Sequence, residues 1–262
     1  MTAFVLGITF FWSHLATATG PSFKSCQSDH GGALQAVSAP DQLLFQLDGN
    51  PAGQDQLKQE QERFKQNPND PFRQLSLALV YLKQADSKRW DYLEIAKKHF
   101  SKAMDAFPSD PFVLMYLGRT TGAQALNMEP SVLSRLRLAR EGFRLMDKAV
   151  KLKPDCMWLR LLRGEAQLMA HPILRRGDRL EEDAEAISVF MVSDQFAQLN
   201  KYQQAKMHLF LGCYYQKIKS DNEAIKSQWV LAQQKGSTTE VGTEAGARLS
   251  GRWQELGYEG DE

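Results

Sequence analysis

The stretch FRLMDKAVKLKPDCMWLRLLRG, Phe143 to Gly164, decides how the chain folds. Before Pro154 the apolar residues recur at helical spacing. Pro154 lacks a backbone N–H and cannot continue the helix, and after it the apolar run of Met157 to Leu162 opens a second helix that carries Gly164. The stretch is the second helix of one hairpin, a proline corner, and the first helix of the next. Pro68, Pro108 and Pro154 occupy comparable corners, and ten residues after each stands a small residue on an apolar segment: Ala78, Gly118 and Gly164. Small side chains are needed where two helix backbones approach closely. Ahead of the corners, Ala96, Phe100 and Ala103 return as Gly142, Met146 and Ala149, spaced i, i+4, i+7 on one helix face.

The unit that repeats is helix, turn, helix, corner. Leu77, Ala78 and Tyr81, followed by Ala96, Phe100, Ala103 and Pro108, resemble a tetratricopeptide repeat, with its small, aromatic and proline positions in order. Leu117 and Gly118, then Gly142, Met146, Ala149 and Pro154, resemble a second. Gly164 with Ala184 to Phe190 makes a third, and Leu211, Gly212, Tyr215 and Ala224 a fourth, with Trp229 and Ala232 one residue late. The resemblance spans about residues 68–235 and implies an all-α fold, a right-handed α-solenoid with repeat units at 68–108, 109–154, 155–197 and 198–236. The corner prolines are 40 and 46 residues apart, against about 34 in the family. Insertions are therefore expected between the helices of a unit, at Asp86 to Asp91 and Ala123 to Pro130, with a break at Ala170-His171-Pro172. Thr238 to Leu256 reads as a terminal capping helix, which such stacks require.

Ahead of the repeats, Ala3 to Trp12 is nearly all apolar, shorter than the ~20 residues of a membrane span. Followed by Ala16-Thr17-Ala18, it reads as a signal peptide over residues 1–18, which places the mature chain in the periplasm or at its membrane face. The competing reading is a hydrophobic helix docked on the body of an intracellular protein. Residues 19–40 read as a linker, Asp41 to Leu47 as a short helix, and Gln54 to Gln66 as a polar helix ending at Asn67-Pro68.

Charge is balanced globally, with 32 Lys and Arg against 31 Asp and Glu, so no overall field recruits nucleic acid. Locally it is not. Ser131 to Leu180 holds twelve basic and five acidic residues. Arg135, Arg137, Arg140 and Arg144, then Arg160, Arg163, Arg175, Arg176 and Arg179, make either a patch for an acidic peptide, phospholipid surface or polyanion, or a solvated face paired with Glu141, Asp147 and Glu181-Glu182-Asp183. Aromatic residues are not interleaved as nucleic-acid binding would want.

By resemblance, the groove is lined by the first helix of each unit. The implied positions are Leu75, Leu79 and Leu82; Met115, Arg119 and Gly122; Leu161, Glu165 and Leu168; and Leu209, Cys213 and Gln216. The carboxylate-clamping residues of some family members are missing from these places. A mostly apolar groove suits an amphipathic helix, unless inserted segments fill it.

The three cysteines, Cys26, Cys156 and Cys213, are far apart, and the odd count leaves at least one thiol unpaired. Cys156, at a helix start, could be an activated thiol or a buried small side chain. His99, His171 and His208 show no metal-ligand spacing, and no phosphate loop, dinucleotide fingerprint or nucleophile elbow occurs. The sequence implies no cofactor, no metal and no enzyme. It implies a scaffold binding a protein or peptide partner through Leu79, Met115, Arg119, Arg160, Leu161, Arg163, Glu165, Arg175 and Arg176. A small-molecule or lipid binder with an enclosed apolar pocket is the alternative.

Overall fold

The computed structural model describes residues 54–85, 89–127 and 131–251. The expected leader over 1–18, the expected linker over 19–40, the expected helix over Asp41 to Leu47, and Trp253 and Leu256 of the expected cap lie outside the described residues. The chain is all-helical: α1 Gln54–Gln66, α2 Pro71–Ala85, α3 Asp91–Ala106, α4 Pro111–Asn127, α5 Val132–Leu152, α6 Met157–Leu168, α7 Gly177–Met191, α8 Asp194–Ala197, α9 Lys201–Tyr214, α10 Asn222–Lys235 and α11 Glu240–Leu249. A 3-10 turn at Pro172–Leu174 precedes α7, and a π turn at Tyr215–Lys219 follows α9. No strand occurs among the described residues. Successive helices pair: α2 with α3, α4 with α5, α6 with α7, α9 with α10. First helices also touch, α2 on α4, α4 on α6, and α6 on α9, which joins the pairs into one array.

One corner is built three times. The amides of Asp70, Asp110 and Cys156 each donate to a carbonyl three residues back, on Asn67, Phe107 and Lys153, at 3.3, 3.1 and 3.2 Å. Asp70 Oδ1 then accepts from Phe72 N, and Asp110 Oδ1 from Phe112 N and Val113 N, all at 2.9 Å. These bonds satisfy amides that the first turn of a helix leaves without partners. Pro71 and Pro111 fill the first helical position, where no N–H is needed. At the third corner Cys156 takes the cap position and makes no side-chain cap. Each corner delivers an aromatic residue two positions on, Phe72, Phe112 and Trp158, and the last two are buried. Each such side chain contributes on the order of 2–3 kcal/mol by leaving water.

The small residues stand where helices meet. A methyl on Gly118 would lie 2.7 Å from the Gly142 carbonyl oxygen, and one on Gly142 equally close to that of Gly118. Backbone therefore packs on backbone between α4 and α5. Gly164 faces the Phe210 ring and Gly212 the Trp229 indole. Ala78, Ala96, Ala103 and Ala149 are all fully buried.

The expected insertion at Ala123 to Pro130 takes a different form. Ala123 to Asn127 continues α4, giving helices of 17 and 21 residues, so most of the added length extends the hairpin instead of forming a loop. At 1.5 Å per residue α5 is about 30 Å long. None of its first ten residues is fully buried, with Ser134, Leu136, Leu138 and Ala139 half-buried, and Gly142 is the first buried position. Leu126, Val132 and Leu133 are exposed at the hairpin's end. Between α6 and α7 the break falls at Ala170 to Arg176, and the expected second helix through Ala184 to Phe190 is α7. Thr239 caps α11 through Gly242 N, which packs Val241 and Ala245 against the α9–α10 pair.

Candidate interaction surface

Most of the apolar positions assigned to an open groove are core, and Leu82 and Leu168 are half-buried against it. Leu79, Met115 and Leu161 are 3%, 0% and 0% exposed, and Leu75 and Leu209 are also buried. The cause is visible along α2, where every residue from Gln74 to Tyr81 is buried. A helix apolar or small on all sides is enclosed on all sides, and α2 is covered by α1, α3 and α4. No free apolar face remains at these positions for a partner helix.

The polar members of that row behave otherwise. Arg119 on α4 donates to Glu165 on α6 at 3.3 Å, and Lys206 on α9 reaches the other Glu165 oxygen at 3.4 Å. The row ties three first helices together from partly accessible positions.

The arginine-rich segment divides into two. Its later half is mostly locked. Arg163 donates Nε and Nη2 to Asp183 at 2.8 and 2.7 Å, and Nη1 to Asp147 at 3.0 Å. Arg160 donates to the Pro154 carbonyl at 2.7 Å, and to Glu182 and Asp183 at 3.1 and 3.2 Å. Arg176 grips Asp147 with both terminal nitrogens at 2.6 and 2.9 Å. Arg179 pairs with Glu182. Burial pushes the Asp183 carboxyl up against the pull of Arg163 and Arg160. Burial opposes the Arg163 charge too, but the hydrogen bond and charge of Asp183, with Asp147 and Glu182, hold its pKa above the ordinary value. Arg160, Arg163 and Arg176, named as a patch from the sequence, are thus cross-braces between α5, α6 and α7. Arg175 is exposed, in a left-handed turn with φ 50°.

The earlier half is free. Arg135, Arg137, Arg140 and Arg144 are all exposed, and none makes an ion pair among the described residues. Arg137, Arg140 and Arg144 share the outward face of α5 with Leu133, at spacings of four, three and four residues.

Beside this face lies an open recess of about 230 Å³ lined by Arg140, Phe143, Arg144, Asp147, Leu174 and Arg176. The Arg176 guanidinium sits 4.6 Å from the Phe143 ring centroid. Its Nε is buried and has no hydrogen-bond partner among the described residues. The sequence reading placed Arg140 and Arg144 in the basic segment without joining them to Leu174. The available signal was their i, i+4 spacing around Phe143.

Among the described residues, Cys156, Cys213, His99 and His208 are buried or shifted away from nucleophilic chemistry. Cys156 is fully buried and disulfide-bonded. Cys213 is a free thiol, and burial pushes its pKa up to about 11, which leaves very little thiolate at neutral pH. His99 Nδ1 lies 2.5 Å from Gln74 Oε1, and His208 Nδ1 lies 2.7 Å from Gln228 Oε1. Burial lowers the pKa of both rings.

No protein-family model and no curated protein matches the chain. The fold and surface define an all-helical array of packed hairpins carrying a free arginine face on one long helix.

Proposed function

We propose that the chain is a non-enzymatic helical scaffold of tetratricopeptide type, and that its contact with a protein or peptide partner lies on the outward face of α5. One observation carries this reading: of the arginines between Ser131 and Leu180, those on the first half of α5 are exposed and unpaired among the described residues, while most of those after Pro154 are braced. The guanidinium groups of Arg135, Arg137, Arg140 and Arg144, unpaired among the described residues, attract an acidic surface. Because α5 is anchored by backbone-to-backbone packing at Gly142, the helix that carries the charges is formed before binding, and only their side chains remain to be ordered. The thrice-built corner and the contacts between first helices support the repeat reading.

Export to the periplasm or its membrane face is part of the proposal. Its support is the disulfide at Cys156, since disulfides persist in oxidising compartments and are rare in reducing ones. No helix among the described residues is long and apolar enough to cross a membrane.

The test is capture of partners from native extract by the mature chain beside an Arg135→Glu/Arg137→Glu variant. Both residues are exposed, so the variant keeps the fold. Stoichiometric capture that the variant abolishes is the expected result. Equal capture by both proteins would overturn the dependence on the exposed arginines at the start of α5.

A further inference from the structure

We propose that the recess between α5 and the 3-10 turn is a binding site for a phosphate monoester, the phosphoryl group held by Arg140, Arg144 and Arg176 and its organic part resting on Phe143 and Leu174. Four features of the recess point to this ligand.

Charge comes first. Three arginines and one aspartate line the recess, leaving two positive charges. A phosphate monoester carries a charge of about −1.5 to −2 at neutral pH, so it balances the lining, whereas a carboxylate would neutralise only half. Asp147 does not oppose it as a bare charge, because Arg163 and Arg176 together supply three hydrogen bonds to its two oxygens.

Donor geometry comes second. Arg140 and Arg144 rise from one face of α5, and neither is spent on a protein carboxylate. Arg176 approaches from the other side. Its terminal nitrogens are committed to Asp147, but its Nε–H is buried and unsatisfied. A buried donor left without an acceptor is unfavourable, and a ligand oxygen that reached it from the recess would relieve that cost. Donors from two sides suit a tetrahedral group with three terminal oxygens better than the two coplanar oxygens of a carboxylate.

The third feature is rigidity. The Arg176 guanidinium is fixed by a two-pronged contact with Asp147 and by the face of Phe143, so one wall is set before any ligand arrives. The fourth is size. About 230 Å³ exceeds what a phosphate ion fills, and the remaining wall is the apolar surface of Phe143 and Leu174. The recess is built for an esterified phosphate more than for the free ion.

Two sources share this chemistry: a soluble monoester, and a lipid whose headgroup is a bare phosphate. Titration calorimetry on the full chain at physiological salt, using phenyl phosphate, inorganic phosphate and benzoate, tests the site itself. Co-sedimentation with vesicles of phosphatidylcholine alone or with added phosphatidate tests the lipid source. Phenyl phosphate is expected to bind at least about tenfold more tightly than benzoate and more tightly than inorganic phosphate. Arg140→Gln/Arg144→Gln should weaken it about tenfold or more, while Arg135→Gln/Arg137→Gln, on the same helix outside the recess, should change it less than about twofold. Acidification from pH 7 to 5 should weaken phenyl phosphate as it takes up its second proton. Sedimentation with phosphatidate vesicles, lost in the Arg140→Gln/Arg144→Gln variant, would assign the lipid; calorimetric binding without sedimentation would assign a soluble ester. Equal losses in the two double variants, equal binding of benzoate and phenyl phosphate, or no heat at millimolar ligand would each overturn the site. Partner capture is tested with Arg135→Glu/Arg137→Glu, which leaves the recess lining intact, so the two proposals fail by different outcomes.

Discussion

Arg163 and Asp183 form a two-pronged ion pair, at 2.8 and 2.7 Å, with side chains only 4% and 0% exposed. It joins α6 to α7 inside the protein, where either charge alone would be expensive. Removing one partner, in Arg163→Met or Asp183→Asn, is expected to cost about 3–5 kcal/mol of stability. The double variant Arg163→Met/Asp183→Leu should lose less than either single one, because it leaves no uncompensated charge: Arg160 keeps Glu182 and Asp147 keeps Arg176. Urea unfolding of the four proteins measures this. Single variants within about 1 kcal/mol of the parent would show that the pair is not buried as described.

Three glycines on the α4–α5 hairpin make a contrast within one pair of helices. A methyl added at Gly118 or Gly142 would strike backbone at 2.7 Å, whereas one at Gly122 meets nothing within 4 Å. Gly118→Ala and Gly142→Ala should each destabilise by about 1–3 kcal/mol, through forced separation of the helices. Gly122→Ala should stabilise by up to about 1 kcal/mol, the ordinary gain from alanine in a helix interior. Thermal unfolding of the three variants decides it, and equal effects at all three positions would contradict the close backbone crossing.

These residues also mark what could be read from the sequence. The corners and the small contact residues were legible, because proline chemistry and i, i+4, i+7 spacing are local properties of the chain. The groove was not. Which face of a helix stays open depends on what covers it, and α1 and the neighbouring first helices enclose Leu79 and Met115 in a way no periodicity within α2 or α4 reveals. The split in the arginine segment was partly legible. Leu180, Asp183, Ala184 and Ile187 occupy one face of α7 by spacing, and all four are buried. A carboxylate on an apolar face demands a buried cation, and that requirement points back to the arginines of α6. The recess needed tertiary structure, since Arg144 and Leu174 come together only when the turn after α6 folds back on α5.

Stability should fall with acid because of the histidines. Burial, with the positive charges of Lys102 and Lys98, lowers the His99 pKa from 6.5 to about 4. The unfolded chain therefore takes up a proton near pH 6.5 while the folded one resists until about pH 4. The contribution is fully present above pH 6.5 and is lost as pH falls toward 4. It is on the order of 3 kcal/mol at most, and His208, shifted in the same direction by burial, adds to it. His99→Gln should flatten the pH dependence of the melting temperature between pH 7 and 4.5. A variant curve parallel to that of the parent would mean that His99 titrates normally in the folded protein.

The cysteines should separate cleanly by chemistry. Cys213 is a free thiol whose burial raises its pKa to about 11, so iodoacetamide at pH 8 should leave it unmodified until denaturant opens the α9–α10 pair. Cys156 is disulfide-bonded, and with only three cysteines in the sequence, counting leaves Cys26 as its one available partner within a single chain. Peptide mapping of protein purified without reductant should find Cys26 and Cys156 in one cross-linked species that reductant separates. A loop of that length constrains the unfolded chain strongly, so Cys26→Ser should lower stability by about 2–4 kcal/mol, and the same reductant should lower the parent to the level of the variant. The cap position at Cys156 explains why this corner in particular feels the loss: Asp70 and Asp110 hold the other two through their own side chains, whereas Cys156 makes no such bond. Recovery of Cys156 as a free thiol from oxidising conditions would sink both the cross-link and its support for export.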